Sequence, residues 1–167
     1  TAGTSTVNFN ASTGTQILNS GGTGTGKLFN NLIHSGAGTL QLITNDMDVD
    51  GTFTNSAGTF DTNSKNQYFG GNYVNSATFT TGTTTAYFDK VTDTQTLNSG
   101  GTGAGKMFNN VTHSGAGTLQ LLTNALDVDG SFTNSAGIFD TNLLDMTVAG
   151  NVNLTTGSFT QGTRTIT

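Results

Sequence analysis

The chain has 167 residues, a formal net charge of -5, and no cysteine, proline or tryptophan. An acidic chain of this kind offers no basic groove for nucleic acid, and without cysteine it has no disulfide framework. The sequence contains no run of about 18 apolar residues, so we predict no membrane-spanning helix. No secretory leader is visible, and we expect either that a leader was removed or that the sequence begins within a longer protein.

The dominant feature of the sequence is a long internal repeat. Residues 95–142 repeat residues 16–63 at an offset of 79 positions, and 38 of the 48 aligned residues are identical. A repeat at fixed spacing predicts stacked structural units in place of one globular core. We therefore interpret residues 1–167 as a single continuous solenoid. It comprises a first large repeat at 5–83, a second at 84–163 and the start of a third at 164–167.

Each large repeat divides further into shorter segments, which are 5–26, 27–45, 46–64 and 65–83 in the first repeat. Apolar and polar residues alternate within a segment, as from Asp46 to Asp50, and this alternation predicts short strands with one buried face. Three strands per segment predict an all-β, right-handed parallel β-helix of about 8 coils, with about 19–22 residues in each coil. In 5–26 and 84–105, the inserted glycines could lie at either of two corners.

Aromatic residues recur at equivalent positions of the segments, which predicts ladders that run along the axis. One inward ladder is predicted from Phe53, Tyr73 and Phe132, and a second from Phe60, Phe79, Phe139 and Phe159. On the same strand as the second aromatic set, an outward ladder is predicted from Thr39, Thr59, Thr78, Thr118 and Ser158. The pattern therefore predicts two aromatic ladders inside and one hydroxyl ladder outside.

Two motifs resemble ligand sites but lack residues that those sites need. The stretch from Gly21 to Lys27 fits part of a phosphate-binding loop, yet Leu28 stands where that loop places serine or threonine. The same stretch resembles a calcium-binding nonapeptide, but Gly26 occupies the position of the aspartate ligand. We interpret it, and its copy from Gly100 to Lys106, as a glycine-rich corner insertion.

Asp46, Asp48 and Asp50 match the start of a calcium-binding loop. Ala57 stands at the position where such a loop has its bidentate carboxylate, so we predict an exposed acidic strand face, with weak cation binding as the alternative.

His34 and His113 are one large repeat apart and have no neighbouring ligand residues, and we predict that both are surface corner residues.

Catalytic chemistry has little support in the sequence. Serine is plentiful, but no arrangement of serine, histidine and aspartate recurs outside the corners. A glycan-degrading enzyme on a parallel β-helix needs carboxylates grouped with arginine or lysine, and Arg164 is the single arginine. We expect no catalytic residues and no cofactor.

Three units of the sequence carry a resemblance to a known class of proteins. They are FNNLIHSGAGTLQL at 29–42, MDVDGTFTNSAGTF at 47–60 and GNYVNSATFTTGT at 71–83. These units resemble the β-solenoid shafts of filamentous-haemagglutinin-type adhesins and related repeat-rich bacterial surface fibres. The resemblance implies an extracellular or cell-surface structural protein whose binding activity lies in separate regions. Cell-surface glycans are a further candidate partner.

The leading functional hypothesis is a structural rod, either an adhesin shaft or a subunit of a filament. The two ends of the sequence show no capping pattern, and we expect further coils from the same chain or from head-to-tail neighbours. The alternative is an ice-binding solenoid that uses the outward threonine ladder. Gln41, Asp61, Ile138 and Asp140 interrupt that surface.

Overall fold

A computed structural model describes residues 3–163 and 166–167 of the chain. The described residues contain no helix and form short strands of three to five residues. The strands are β1 (Thr6–Phe9), β2 (Thr15–Leu18), β3 (Asn31–His34), β4 (Thr39–Leu42), β5 (Met47–Val49), β6 (Phe53–Asn55), β7 (Thr59–Asp61), β8 (Gln67–Phe69), β9 (Tyr73–Asn75), β10 (Thr78–Thr80), β11 (Thr85–Phe88), β12 (Thr94–Asn98), β13 (Asn110–His113), β14 (Thr118–Leu121), β15 (Leu126–Val128), β16 (Phe132–Asn134), β17 (Ile138–Asp140), β18 (Met146–Val148), β19 (Val152–Leu154) and β20 (Ser158–Thr160). Arg164, with most of the predicted start of a third repeat, lies outside the described residues.

The strands form three faces around a common core. One face is the sheet β1-β3-β6-β9-β12-β14-β17-β20, and another is the sheet β5-β8-β11-β13-β16-β19. The third face has two sheets along the axis, β2-β4-β7-β10 and β15-β18. Neighbouring strands pair in parallel, and the chain visits the three faces in turn for about 7 turns. The fold is therefore a parallel β-solenoid, which confirms the predicted class; its right-handed sense stays a prediction.

The large repeat does not span a whole number of turns, and the prediction of four coils per repeat was wrong. Strand β1 pairs with β3 on the first face, but its copy β11 pairs with β8 and β13 on another face. The first repeat contains ten strands and one isolated bridge from Phe29 to Val49. Each full turn places one strand or bridge on each of the three faces, so these eleven elements make three and two-thirds turns. The second copy is therefore displaced by one face relative to the first.

The glycine-rich segments cause this displacement. Residues 5–26 hold only two strands, β1 and β2, because the remainder of that segment forms a loop instead of a third strand. Leu28 and Phe29 follow this loop, and Phe29 alone bridges to Val49 of β5, in the sheet β5-β8-β11-β13-β16-β19. Residues 84–105 repeat the arrangement with β11 and β12, and Phe108 then bridges to Val128. The loop replaces a strand, so each of these segments completes only two-thirds of a turn.

The displacement also divides the predicted aromatic ladders. Phe53 stacks on Tyr73 with ring centroids 5.4 Å apart, but Phe132 pairs with Val111 and Val152 on another face. Phe60 stacks on Phe79 at 5.8 Å in one sheet, whereas Phe139 lies beside Phe159 at 5.4 Å in another. The two predicted ladders are therefore separate short stacks. The aromatic residues that are fully buried are Phe53, Phe60, Phe69, Tyr73, Phe88, Phe108, Phe132 and Phe139.

Asparagine side chains hold successive turns together at the starts of strands. The N–H of Thr52 donates to Oδ1 of Asn31 at 2.8 Å, and the N–H of Thr85 donates to Oδ1 of Asn66 at 2.9 Å. The same bond joins Ser131 to Asn110 at 2.8 Å. A backbone donor at a corner has no strand partner, so a side-chain acceptor from the turn before it supplies the hydrogen bond. This role explains the abundance of asparagine at the corners.

Candidate functional site

The glycine-rich loops are closed by aspartate side chains of the chain itself. The N–H of Gly24 donates to Oδ2 of Asp48 at 2.7 Å, and the N–H of Gly103 donates to Oδ2 of Asp127 at 2.8 Å. A phosphate group would need such N–H groups and would be repelled by the carboxylate that already accepts from them. The loops therefore act as corners anchored by Asp48 and Asp127, a role for these aspartates that we did not predict from the sequence.

The three aspartates of the acidic stretch lie on the outer face of the solenoid. Met47 and Val49 between them are fully buried, so alternate residues of this strand point in opposite directions. Oδ1 of Asp46 accepts the N–H of Asn66 at 2.9 Å, Asp48 anchors the glycine loop, and Asp50 is exposed. No group of three His, Cys, Asp or Glu side chains within residues 3–163 and 166–167 is placed to hold a metal ion. Two of the three carboxylates thus serve as acceptors between turns.

The prediction that His34 and His113 are surface residues was wrong. Each side chain is only 1% exposed and points into the core. Nδ1 of His34 lies 2.8 Å from Oδ1 of Asn55, and Nδ1 of His113 lies 2.8 Å from Oδ1 of Asn134. Alternation could have revealed this, because His34 has the same parity as Leu32, which is fully buried.

The two histidines begin buried polar ladders that run along the axis. Nδ2 of Asn55 donates to Oδ1 of Asn75 at 2.9 Å, and Nδ2 of Asn75 donates to the carbonyl of Ser99 at 3.0 Å. In the second copy, Nδ2 of Asn134 donates to the carbonyl of Ser158 at 2.7 Å. Because the amide oxygen accepts and the amide nitrogen donates, the ring nitrogen Nδ1 carries the hydrogen toward each asparagine. The ladders fix the register of adjacent turns within the core.

We expect the buried ring of His113 to make the protein less stable in mild acid. Burial lowers the pKa of His113 below its usual value of 6.5, although the hydrogen bond to Asn134 acts in the opposite direction. As the pH falls, the unfolded chain therefore takes up the proton on His113 before the folded chain does. The contribution of the neutral ring to the free energy of unfolding is complete above pH 6.5 and is lost as the pH falls toward the lower pKa of the folded state. Melting curves from pH 7.5 to 5 should show a falling Tm.

The matched variant for this prediction is His113→Gln, because Gln67 and Gln95 already occupy inward positions of the core. The variant should lose less Tm between pH 7.5 and 5 than the parent chain does. An equal loss of Tm in both proteins would contradict the assignment of this pH dependence to His113.

The predicted outward ladder of hydroxyl groups is divided between two faces. Thr15, Thr39, Thr59 and Thr78 form one unbroken column on β2-β4-β7-β10. Thr118 and Ser158 lie on a different face, in a column that includes Thr94 and is interrupted by Ile138. The prediction of a single ladder was therefore wrong, because the second copy is displaced by one face.

An open groove of about 310 Å³ lies where the third face is interrupted. Phe79, Thr80 and Thr81 line one side, and Gly105 and Met107 of the second glycine loop line the other. Asp129 is the one titratable residue among the groove's lining residues. General acid–base catalysis of the kind found in glycan-degrading enzymes uses two groups, and this groove supplies one.

Comparison of the chain with protein-family models, with curated proteins and with solved structures finds no match. In the described part of the chain, no helix is long and apolar enough to cross a membrane. The geometry itself defines the class of the protein, which is a parallel β-solenoid built from a displaced tandem repeat.

Proposed function

We propose that this chain is a section of a structural rod, either an extracellular fibre or the shaft of a cell-surface adhesin. The observation that carries the proposal is the pairing of strands from turn to turn around one apolar core, which is unbroken on two of the three faces. At about 4.8 Å per turn, the described turns form a body about 34 Å long. The stability of such a stack is a sum of contacts between neighbouring turns, so further turns of the same kind can be added to either end of the rod.

The displacement of the repeat also supports a structural role. Because each copy is rotated by one face, an outward feature of one copy recurs on a different side in the next copy. Three copies bring the pattern back to the first face. Such a rod presents similar surfaces in all directions, as a shaft does, whereas a one-sided binding plate would keep its residues on one face.

The junction between the two copies supplies a template for growth of the rod. Strand β11, the first of the second copy, pairs with β8, and β12 pairs with β9. The outermost strands β1 and β20 each have one paired neighbour in the described part of the chain. A free edge of a parallel sheet accepts another strand, so we propose that further coils join there from the same polypeptide or from a second copy.

We expect the purified 167-residue chain to form end-to-end oligomers that lengthen with concentration. Analytical ultracentrifugation and electron microscopy would measure their mass and shape. The variant Phe159→Lys places a charge on the core side of the outermost strand β20 and should stop growth, while Thr133→Lys on the outer face should not. A stable monomer at high concentration, with both end coils protected from hydrogen exchange, would contradict the continuous rod.

Ice binding is the second candidate, and the unbroken column of Thr15, Thr39, Thr59 and Thr78 favours it. The neighbouring outward column is less regular, because Nε2 of Gln41 donates to Oδ2 of Asp61 at 2.7 Å. A rod without ice-binding function should show no thermal hysteresis. Measurable hysteresis that is lost in Thr39→Lys and Thr59→Lys would support the ice-binding function instead.

A further inference from the structure

Two tyrosines stack on the outer face of the solenoid at the junction between the copies. Asp48 of β5, Tyr68 of β8 and Tyr87 of β11 occupy successive positions of one outward column. The rings of Tyr68 and Tyr87 have centroids 4.6 Å apart and lie 5° from parallel. Both side chains are half-buried, and neither hydroxyl has a hydrogen-bond partner among the described residues. The pair is therefore a partly exposed aromatic platform.

Carboxylates surround this platform. Asp46 and Asp50 lie directly before and after β5, on either side of Asp48, and Asp89 directly follows β11, two residues after Tyr87. Asp50, Gly70 and Asp89 follow the paired residues of β5, β8 and β11 and so lie beside one another in three successive turns. Because Gly70 is the middle residue, no side chain separates the two carboxylates. Oδ1 of Asp50 would lie 3.5 Å from a Cβ placed on Gly70, which shows that the carboxylate leans over this glycine.

The carboxylates and the tyrosines influence one another's ionisation. Burial raises the pKa of Tyr68, and the charges of Tyr87, Asp46, Asp48 and Asp89 raise it further. Burial also raises the pKa of Asp89, with Asp48 and Asp50 adding to the effect. Both shifts have the sign expected where negative groups lie close together without a cation.

The lysines of the chain do not neutralise this surface. The ammonium groups of Lys65, Lys90 and Lys106 donate to the carbonyls of Asn63, Thr94 and Ala77. Lys27 lies against Gly21 in the first glycine loop. Among residues 3–163 and 166–167, no lysine forms an ion pair with Asp46, Asp48, Asp50 or Asp89. The surface is therefore left without a counter-charge of its own.

The arrangement occurs at the junction and not in the other copies of the same strands. One repeat away, Tyr68 corresponds to Thr147, Tyr87 to Asn8, and Asp89 to Asn10. Those strands fold in the same way, as β18 and β1. The tyrosines and Asp89 are thus not required for the strand or corner that they occupy, which leaves room for a role in recognition.

We propose that Tyr68 and Tyr87, together with Asp46, Asp48, Asp50 and Asp89, form a docking surface for a basic polypeptide segment. We call this set of residues the tyrosine patch. The carboxylates are spread around the rings and do not converge on one point, so they fit several separate cationic groups better than one metal ion. Arginine and lysine side chains form cation–π contacts with tyrosine and ion pairs with aspartate. A second copy of this chain is itself acidic, so the partner is a different molecule.

The test measures binding of fluorescein-labelled hexa-arginine to the full chain by fluorescence anisotropy. The double variant Tyr68→Thr and Tyr87→Asn installs the residues of the other copies, so the fold should be retained. We expect it to weaken binding at least about fivefold. Asp50→Asn with Asp89→Asn should weaken binding to a similar extent and reduce its dependence on salt.

The matched control removes the same charge elsewhere, by Asp93→Asn with Asp129→Asn at two exposed positions. We expect this control to stay within about twofold of the parent chain. Equal weakening by the two charge variants would overturn the proposal, because binding would then reflect only the net charge. Unchanged binding in the tyrosine variant would also overturn it, as would binding of maltohexaose or calcium chloride at the patch without binding of the peptide.

Discussion

Replacement of Phe53 by alanine should lower the free energy of unfolding by about 3–5 kcal/mol. The side chain is fully buried, and its ring lies 4.9 Å from that of Phe60 and 5.4 Å from those of Phe69 and Tyr73. Removal of the ring leaves a cavity among aromatic groups from all three faces, and short strands between fixed corners have little freedom to close it.

Chemical denaturation would measure the total loss in the free energy of unfolding, and hydrogen exchange would show which turns are destabilised. Because each turn contacts only its neighbours, protection should decrease in the turns next to β6 and persist near β15 and β18. Phe159→Ala is the matched control, since Phe159 is only half-buried on the outermost strand, and it should cost much less. A loss below about 1 kcal/mol at Phe53, or a uniform fall in protection, would contradict this description of the core.

The alternation of side chains allowed most of the fold to be predicted. The stretch from Asp46 to Asp50 shows the reason, because its polar and apolar residues alternate without exception and the structure buries Met47 and Val49. Parallel stacking followed from the repeat, since copies of one strand fit best beside one another. Local pattern and turn-to-turn pairing thus point to the same structure.

The number of turns could not be predicted from the length of the repeat. A segment of 22 residues is long enough for three strands, and only the geometry shows that 5–26 and 84–105 contain two strands and a loop. The number of residues in a segment does not show whether those residues form a third strand or a longer loop. This ambiguity led us to assign Phe132 and Phe53 to one ladder, although they lie on different faces.

Candidate sites were harder to predict, because a polar residue can face either way. The acidic stretch and the glycine loop each resembled a ligand site, but Asp48 and Gly24 bind to each other. The tyrosine patch had a signal in the sequence, since Tyr68 and Tyr87 each stand fourth in consecutive segments, 65–83 and 84–105. Equivalent positions in adjacent turns stack, so this coincidence could have indicated the pair.

Replacement of Gly58 by alanine should be at least as damaging as the loss of a core ring. Gly14, Gly38 and Gly58 occupy equivalent corners of three successive turns, beside the paired threonines of β2, β4 and β7. A Cβ on Gly58 would lie 2.1 Å from the carbonyl oxygen of Gly38 and 2.5 Å from that of Gly36. The turns approach so closely at this corner that a methyl group must force them apart.

The chain offers a control that isolates this contact. Gly14 and Gly58 have similar left-handed backbone angles, with φ of +71° and +62°, but a Cβ on Gly14 meets no atom within 4 Å. Gly14→Ala should therefore cost only the backbone strain, about 1–2 kcal/mol. Gly58→Ala adds the clash to that strain and should cost roughly 3–6 kcal/mol.

The second copy provides an independent measurement of the same effect. A Cβ on Gly137 would lie 2.1 Å from the carbonyl oxygen of Gly117, and its φ is +61°. Gly137→Ala should therefore lower the free energy of unfolding by as much as Gly58→Ala, even though the two corners lie on different faces. Denaturant titration of the three variants would give the comparison. An equal loss of unfolding free energy in Gly14→Ala and Gly58→Ala would mean that the corners can separate freely. The close stacking of turns would then not be the reason why glycine is needed at this corner.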